Sequence, residues 1–318
     1  MPRSPFGFVL PLLLSFAVAA PLSLAPVEAA AKSETKTAAK TTKAAAKAPA
    51  RKAQARKAKA RAKAAVPGFQ PVHASVLMDA KTGRVIEASN ADTVTYPASL
   101  TKMMTLLLTF EALDRGALRL DQELPVSRNA CNQKPSRLGV VPGGTIRVED
   151  AILALTVKSA NDVAVVLAEA LGGSEQAFAE QMTAKAHALG MTSTTFRNAS
   201  GLPNREQRTT ARDMAKLSRA VVSLPPRYYT MFGRTSFTWN DTVVAGHNRL
   251  LGKVEGYDGI KTGFVNASGF NLAGSASRNG QRLIAVVLGG STASVRDREV
   301  AELLEKGFRT AKDTVAAR

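Results

Sequence analysis

YPASLTKMM, residues Tyr96–Met104, decides how the rest of the chain is read. It sets a serine three residues before a lysine, just after a proline and at the head of the apolar run MMTLLLTF. Pro97 favours an extended residue before it, so the chain turns sharply into a helix predicted from about Ser99 to Leu113 and ending near Gly116. On a helix, residues i and i+3 share a face, which puts Ser99 and Lys102 side by side in the first turn. Two readings fit. Ser99 is a helix N-cap, or it is a nucleophile with Lys102 as its base. A serine hydroxyl attacks only when a base takes its proton. Lys102 is such a base only if it is neutral near pH 7, and burial or a second positive charge favours that form. The spacing alone leaves both readings open, because Ser33-Glu34-Thr35-Lys36 has it too.

Two further motifs shift the balance. Ser159-Ala160-Asn161 falls 60 residues on, between helices predicted over Val148–Thr156 and Asp162–Leu171. Lys261-Thr262-Gly263 falls 102 residues beyond that, in DGIKTGF, on a strand predicted over Gly259–Thr262. Each has copies elsewhere. Ser127-Arg128-Asn129 and Ser277-Arg278-Asn279 also read S-x-N, and Lys81-Thr82-Gly83 also reads K-T-G. The Lys81 copy precedes the serine and reads as a polar hairpin turn, and the Ser277 copy runs into the tight turn Asn279-Gly280. Only Ser99, Ser159 and Lys261 give the order nucleophile, loop, strand.

Around these motifs the apolar spacing changes period twice. Ala74–Asp92 reads as a β-hairpin about Lys81-Thr82-Gly83. Helix-spaced apolar residues continue through Ser174–Leu189 and Ala211–Leu224. After Pro225-Pro226 the pattern returns to short strands at Thr235–Trp239, Phe270–Ser277 and Arg282–Leu288, and a last helix is predicted over Ser294–Thr310. Strands from both ends of the chain enclose a helical insert. The fold class is therefore α+β, a sheet with a helical subdomain.

Three domains divide the 318 residues. Residues 1–29 read as a signal peptide: Arg3 is followed by an apolar run over Phe6–Ala20 and by the small-x-small triplet Val27-Glu28-Ala29. Pro11 and Pro21 interrupt the run, which is shorter than the roughly 20 residues a membrane span needs. Residues 30–67 are a basic segment. From Ala31 to Val66 it holds nine Lys, three Arg and one Glu, a net charge of +11 out of the chain's +18. Its one apolar residue larger than Ala is Val66, too little to offset the entropy of ordering, so disorder is predicted. Such a segment holds polyanions by a salt-dependent, sequence-blind attraction. For an exported chain the expected partner is an anionic envelope polymer rather than a specific nucleic acid, and a solvated spacer is the plainer alternative. Residues 68–318 form the third domain. Its single cysteine, Cys131, allows no internal disulfide and is expected as a small buried residue. His73, His187 and His247 are scattered outside any metal-binding pattern, so neither metal nor organic cofactor is expected.

S-x-x-K, then S-x-N, then K-T-G is the signature of penicillin-binding proteins and serine β-lactamases. Within that group the chain resembles the low-molecular-mass D-alanyl-D-alanine carboxypeptidases of the S11 peptidase type over most of Ala74–Phe308. The likeness includes SANDVAVVLAE, LGMTSTTFRNASGL, TTARDMAKL, HNRLL and DGIKTG. It implies an antiparallel sheet flanked by helices, and a serine-type carboxypeptidase that removes the terminal D-alanine of peptidoglycan stem pentapeptides, with β-lactams as covalent inhibitors. It also implies roles. Ser99 is the nucleophile, Lys102 its base, and Ser159 the proton relay to the leaving group. Asn161 orients Lys102 and the substrate amide. Lys261 keeps the site electropositive. Thr262, Arg249 and Arg296 take the terminal carboxylate, and the strand residues Gly263 and Phe264 line the substrate, the backbone of Phe264 joining that of Ser99 as oxyanion donors.

The resemblance also carries departures. Phe264 stands where relatives often have a small polar residue or His, which makes the pocket more apolar. Relatives often carry a further β-rich domain and a C-terminal amphipathic anchor, and here the basic segment is expected to take over the anchoring. The Glu of an E-x-x-L-N pentapeptide, which activates water in class A β-lactamases, has no counterpart in the sequence, so slow release of a penicilloyl adduct is expected. Two rivals remain: an endopeptidase cutting D-alanyl crosslinks with the same residues, and a polyanion-binding envelope protein with an inert domain. An exported location, periplasmic or at the cell wall, is expected under every reading.

Overall fold

A computed structural model describes residues 71–316, with side chains through Thr310; the predicted signal peptide and basic segment lie outside the described residues. In chain order the elements are β1 (Ala74–Asp79), β2 (Val85–Ser89), a 3-10 turn (Ala98–Thr101), α1 (Lys102–Asp114), β3 (Glu123–Pro125), α2 (Arg128–Cys131), β4 (Thr145–Arg147) and α3 (Val148–Leu153). A single π-turn (Ala154–Lys158) extends α3 and is followed by α4 (Asn161–Gly172), α5 (Glu175–Ala188), α6 (Ala211–Val222) and α7 (Pro226–Tyr229). The chain closes with β5 (Ser236–Trp239), β6 (Thr242–Ala245), β7 (Tyr257–Val265), β8 (Gly269–Arg278), β9 (Gln281–Gly290) and α8 (Ala293–Ala316).

The main sheet has the order β2-β1-β9-β8-β7, with every neighbour antiparallel. The first strand therefore pairs with the last, from Ala74 opposite Leu288 to Asp79 opposite Leu283. Both hairpins expected from turn chemistry are present. Thr82 donates from its backbone N and its hydroxyl to Asp79 Oδ1, 2.8 Å each, which makes Lys81-Thr82-Gly83 a turn. Asn279 (φ 49°) and Gly280 (φ 77°) supply the two positive φ values of the β8–β9 turn.

The inner strands read as unbroken apolar runs because both faces of the sheet are covered. On one face Leu77, Leu272, Leu283 and Val287 meet Val300 and Leu304 of α8. On the other, Val76, Ile284 and Val286 belong to the core that takes in α1, α4 and α6. Helix α1 is buried nearly all round, so its run MMTLLLTF shows no amphipathic stripe. Its two threonines lie at 0 % exposure and find internal acceptors: Thr105 Oγ1 donates to Ala199 O and Thr109 Oγ1 to Thr105 O.

Several elements depart from expectation. The helix predicted from Ser99 opens as a 3-10 turn one residue earlier, and no side chain caps it. The strand predicted over Gly259–Thr262 extends to nine residues, because pairing with β8 overrides the weak β propensity of its glycines. The hairpins β3–β4 and β5–β6 carry too few alternating residues to be read in advance, apart from β5. Cys131 is half-buried rather than buried, since α2 ends at the surface, and its Sγ donates to Val140 O at 3.1 Å. Ser127 of the spare S-x-N copy is the N-cap of α2, accepting from the Ala130 N–H.

Candidate active site

The turn that carries Ser99 is held from three sides. Ala98 adopts φ 49°, a left-handed conformation that costs a non-glycine residue of order 1–3 kcal/mol unless its surroundings fix it. Asn271 on β8 reaches under the turn, donating from Nδ2 to the carbonyls of Tyr96 (3.2 Å) and Pro97 (3.4 Å). Gly201 (φ 83°) stands behind it, so close that a Cβ there would collide with the Ala98 carbonyl. In front, a Cβ on Gly263 of β7 would lie 3.1 Å from Ser99 N. The absence of a side chain at both positions, with a positive φ at Gly201 alone, is what lets a loop and an edge strand close on the turn.

Lys102 is fully buried one turn on. Its Nζ donates to Asn161 Oδ1 at 2.7 Å and to Ser200 O at 2.5 Å, and lies 3.3 Å from Ser99 Oγ. Burial pushes its pKa well below the usual lysine value. The nearby charge of Lys261 adds to that, against the weaker pull of Asp162 and Glu175. A neutral amine has two N–H groups and one lone pair, so donating to the two carbonyl oxygens leaves the lone pair for the Ser99 hydroxyl.

The second motif arrives from the helical subdomain. The π-turn ends in Ser159, which takes φ 60° and ψ 40°, and this left-handed residue reverses the chain into α4. Its Oγ is buried without a hydrogen-bond partner among the described residues. Asn161, the first residue of α4, turns its Oδ1 to Lys102 and donates from Nδ2 to Pro135 O at 2.5 Å. Its neighbour Asp162 is fully buried and accepts from the backbone N–H groups of Leu138, Gly139 and Val163. Together these two side chains pin the 135–139 loop over the site.

The third motif lies on β7, the edge strand. Lys261 is buried, donates to Thr262 O at 3.0 Å, and is pushed down to about 7 by burial and by the nearby Arg296. Ser99, Ser159, Arg249, Thr262, Gly263, Phe264 and Arg296 all line one cavity of about 540 Å³, with Ser136 and His247 beside them. Every site residue expected from the sequence thus lies in this cavity or within hydrogen-bond reach of a residue that does. Arg296 differs in detail. Its guanidinium donates to Asp297 Oδ1 through Nε and Nη2, and to Asn271 O through Nη1, so it lines the cavity as an already paired cation. Among the described residues no group of His, Cys, Asp or Glu is placed to hold a metal, and no helix is long and apolar enough to cross a membrane.

Sequence reasoning missed three contributors. The carbonyl of Ser200 is a backbone group with no side-chain signal. Its loop is set by Glu175, whose Oε1 accepts from Ala199 N at 3.0 Å and whose pKa is raised by burial. His247, quoted only within HNRLL, lines the cavity with its pKa lowered by burial, then by Lys261, Lys158 and Arg249. Ser136 reaches the cavity from the 132–144 loop, which carries none of the motifs above. For the Ser200 loop the signal was Gly201 in LGMTSTTFRNASGL, an isolated glycine where a close backbone approach is needed.

A half-buried serine beside a buried lysine, a second, buried hydroxyl and a cavity lined by two arginines thus meet at one place. The chain belongs to the D-alanyl-D-alanine carboxypeptidase family, peptidase S11, whose profile matches residues 61–292. The D-alanyl-D-alanine carboxypeptidase DacC of Escherichia coli (strain K12) is 37% identical over 243 residues, 74% of this chain and 61% of that protein. The chain thus spans about three fifths of that relative's length. Among solved structures, the D-alanyl-D-alanine carboxypeptidase DacD from Francisella tularensis aligns with a TM-score of 0.72 and 32% identity, over 76% of this chain and 71% of that one. Penicillin-binding protein D2 from Listeria monocytogenes, in its ampicillin-bound form, aligns with a TM-score of 0.65 and 34% identity, over 74% and 96%.

Proposed function

We propose that this chain is a serine-type D-alanyl-D-alanine carboxypeptidase that trims the terminal D-alanine from peptidoglycan stem pentapeptides and is acylated by β-lactams. One observation carries the reading: Lys102 is buried, has spent both donors of its neutral form on Asn161 and Ser200, and faces Ser99 Oγ at 3.3 Å. Neutral Lys102 takes the Ser99 proton as Oγ bonds to the carbonyl carbon of the penultimate D-alanine. The backbone N–H groups of Ser99 and Phe264 receive the oxyanion, where each such donor is worth about 3–4 kcal/mol of barrier. The proton then passes from Lys102 through Ser159 to the nitrogen of the departing D-alanine as the peptide bond breaks. Ser159 Oγ, buried and free of protein partners among the described residues, suits that transfer. Thr262 and Arg249 hold the terminal carboxylate, and Lys261 and the paired Arg296 add positive potential from behind them. Water, deprotonated by the same lysine, hydrolyses the acyl-enzyme and restores Ser99.

This substrate lies outside the cytoplasmic membrane, which suits an exported chain, periplasmic or wall-associated. Mass spectrometry of muropeptides after incubation with the purified protein, beside Ser99→Ala, tests the reading. Pentapeptide monomers should lose one D-alanine with the parent protein and stay intact with the variant. Splitting of crosslinked dimers while monomers persist would make it an endopeptidase instead. No change in either would overturn the reading.

A further inference from the structure

The catalytic cavity has two poles. Gly263 abuts Ser99 N and marks the reaction centre on β7. On one side of it stand Thr262, Arg249 and His247, polar groups suited to an anion, with Lys261 buried behind Thr262. On the other stands Phe264. Alternation along a strand puts Thr262 and Phe264 on the same face, about 7 Å apart, the length of a two-residue step in an extended substrate. Phe270 lies directly opposite Phe264 in the β7–β8 register, and the two rings meet at 4.4 Å between centroids with a 38° tilt. Both rings are only half-buried.

These rings are also the wall of a second cavity of about 340 Å³. Pro71, Asn266, Gly269 and Gly289 are among its other lining residues, and none of the residues lining it is charged. Its floor is bare backbone because packing demands glycine there. A Cβ on Gly289 would collide with the Val72 carbonyl, and one on Gly290 would lie 2.8 Å from Arg296 Cβ. The volume is at the small end for ligand pockets, enough for one ring or a short aliphatic branch and too small for a further peptide strand.

We propose that the cavity walled by Phe264 and Phe270 is a binding subsite for an apolar or aromatic substituent on the acyl side of the scissile bond. It rests on the reading of Ser99 as the acylated nucleophile. With the carboxylate end held by cations, a substrate lies in one direction only, and its acyl portion runs past Phe264 onto the aromatic wall. Uncharged lining and half-exposed rings favour a neutral, apolar group there, and stacking on such a pair adds to the burial of the substituent.

The test compares benzylpenicillin with 6-aminopenicillanic acid, which has the same bicyclic nucleus without the aromatic acyl group. Second-order acylation rates are read by intact mass on the full chain, on Phe270→Ala and on Ser99→Ala. The parent protein should favour benzylpenicillin by at least about tenfold, and Phe270→Ala should remove most of that preference while 6-aminopenicillanic acid reacts within about twofold of the parent rate. A uniform loss with both compounds, or no change with either, overturns the subsite. If Phe270→Ala does not fold, Phe270→Leu is read the same way: a selective fall supports the subsite and a uniform one refutes it. Failure of both compounds to acylate the parent protein would instead overturn the role of Ser99, and the subsite with it.

Discussion

At Lys102 the cost of burying an ammonium ion decides the chemistry. Burying a charge costs more than the roughly 1.5–3 kcal/mol gained by burying each apolar neighbour on α1, so burial lowers the pKa of Lys102 and favours its neutral form. Replacing Lys102 with Met should lower the acylation rate by about 10²–10⁴-fold, measured with a chromogenic cephalosporin. Two opposed limbs in the pH profile follow from the two buried lysines. Lys102 accepts a proton only in its neutral form, so activity rises as pH climbs through its lowered pKa. Lys261 attracts the carboxylate only while charged, and that charge is lost as pH rises through about 7. The alkaline fall in kcat/KM should therefore move up by at least about one pH unit in Lys261→Arg, since a guanidinium stays protonated; an unmoved limb would place its source elsewhere. At this scale the sequence was informative wherever the chemistry sits on a side chain in a motif. It was silent where a backbone oxygen does the work, as at Ser200. Arg296 shows the converse: its residue type pointed to a carboxylate, and its neighbour Asp297 has already claimed the fork.

At the scale of elements, the site depends on how segments are braced rather than on the motifs alone. Gly201→Ala adds a methyl group where the Ala98 carbonyl already stands, at a φ that disfavours side chains. It should cost at least about 3 kcal/mol by thermal or urea unfolding and slow acylation as the Ser99 turn shifts. Asp162→Ala leaves the N–H groups of Leu138 and Gly139 without their acceptor, at about 1–3 kcal/mol each while they stay buried. Hydrogen exchange should therefore rise across 136–140 more than in α4, and KM should increase more than kcat falls. The longer helices were legible because their apolar residues persist over several turns, whereas the four-residue helices α2 and α7 left no such pattern. The 3-10 start, the π-turn and, apart from β5, the short hairpins were not, because each is set by tertiary contacts over five residues or fewer. The π-turn matters most of these, since it delivers the left-handed Ser159.

For the whole molecule, charge and topology are separable. Residues Ala31–Val66 carry +11, and residues 67–318 share the remaining +7. Deleting 31–66 should leave the rate of D-alanine release within about twofold of the parent, yet abolish salt-sensitive co-sedimentation with cell walls, because such retention is an ion-exchange effect. Equal sedimentation with and without the segment would assign it to spacing alone. Topology was legible only in outline: strands at both ends of the chain implied one sheet, while its order, with β1 inserted beside β9, is fixed by long-range pairing that no local pattern encodes. That order has a consequence for timing. Ser99 and Lys261 are 162 residues apart, and β7, which completes the site, is translated after every helix except α8. A nascent or truncated chain thus exposes the Ser99 turn without its electropositive wall, and contacts this distant in sequence form late. The cavity is therefore complete only once β7 has paired with β8, a late step in the folding of the described residues.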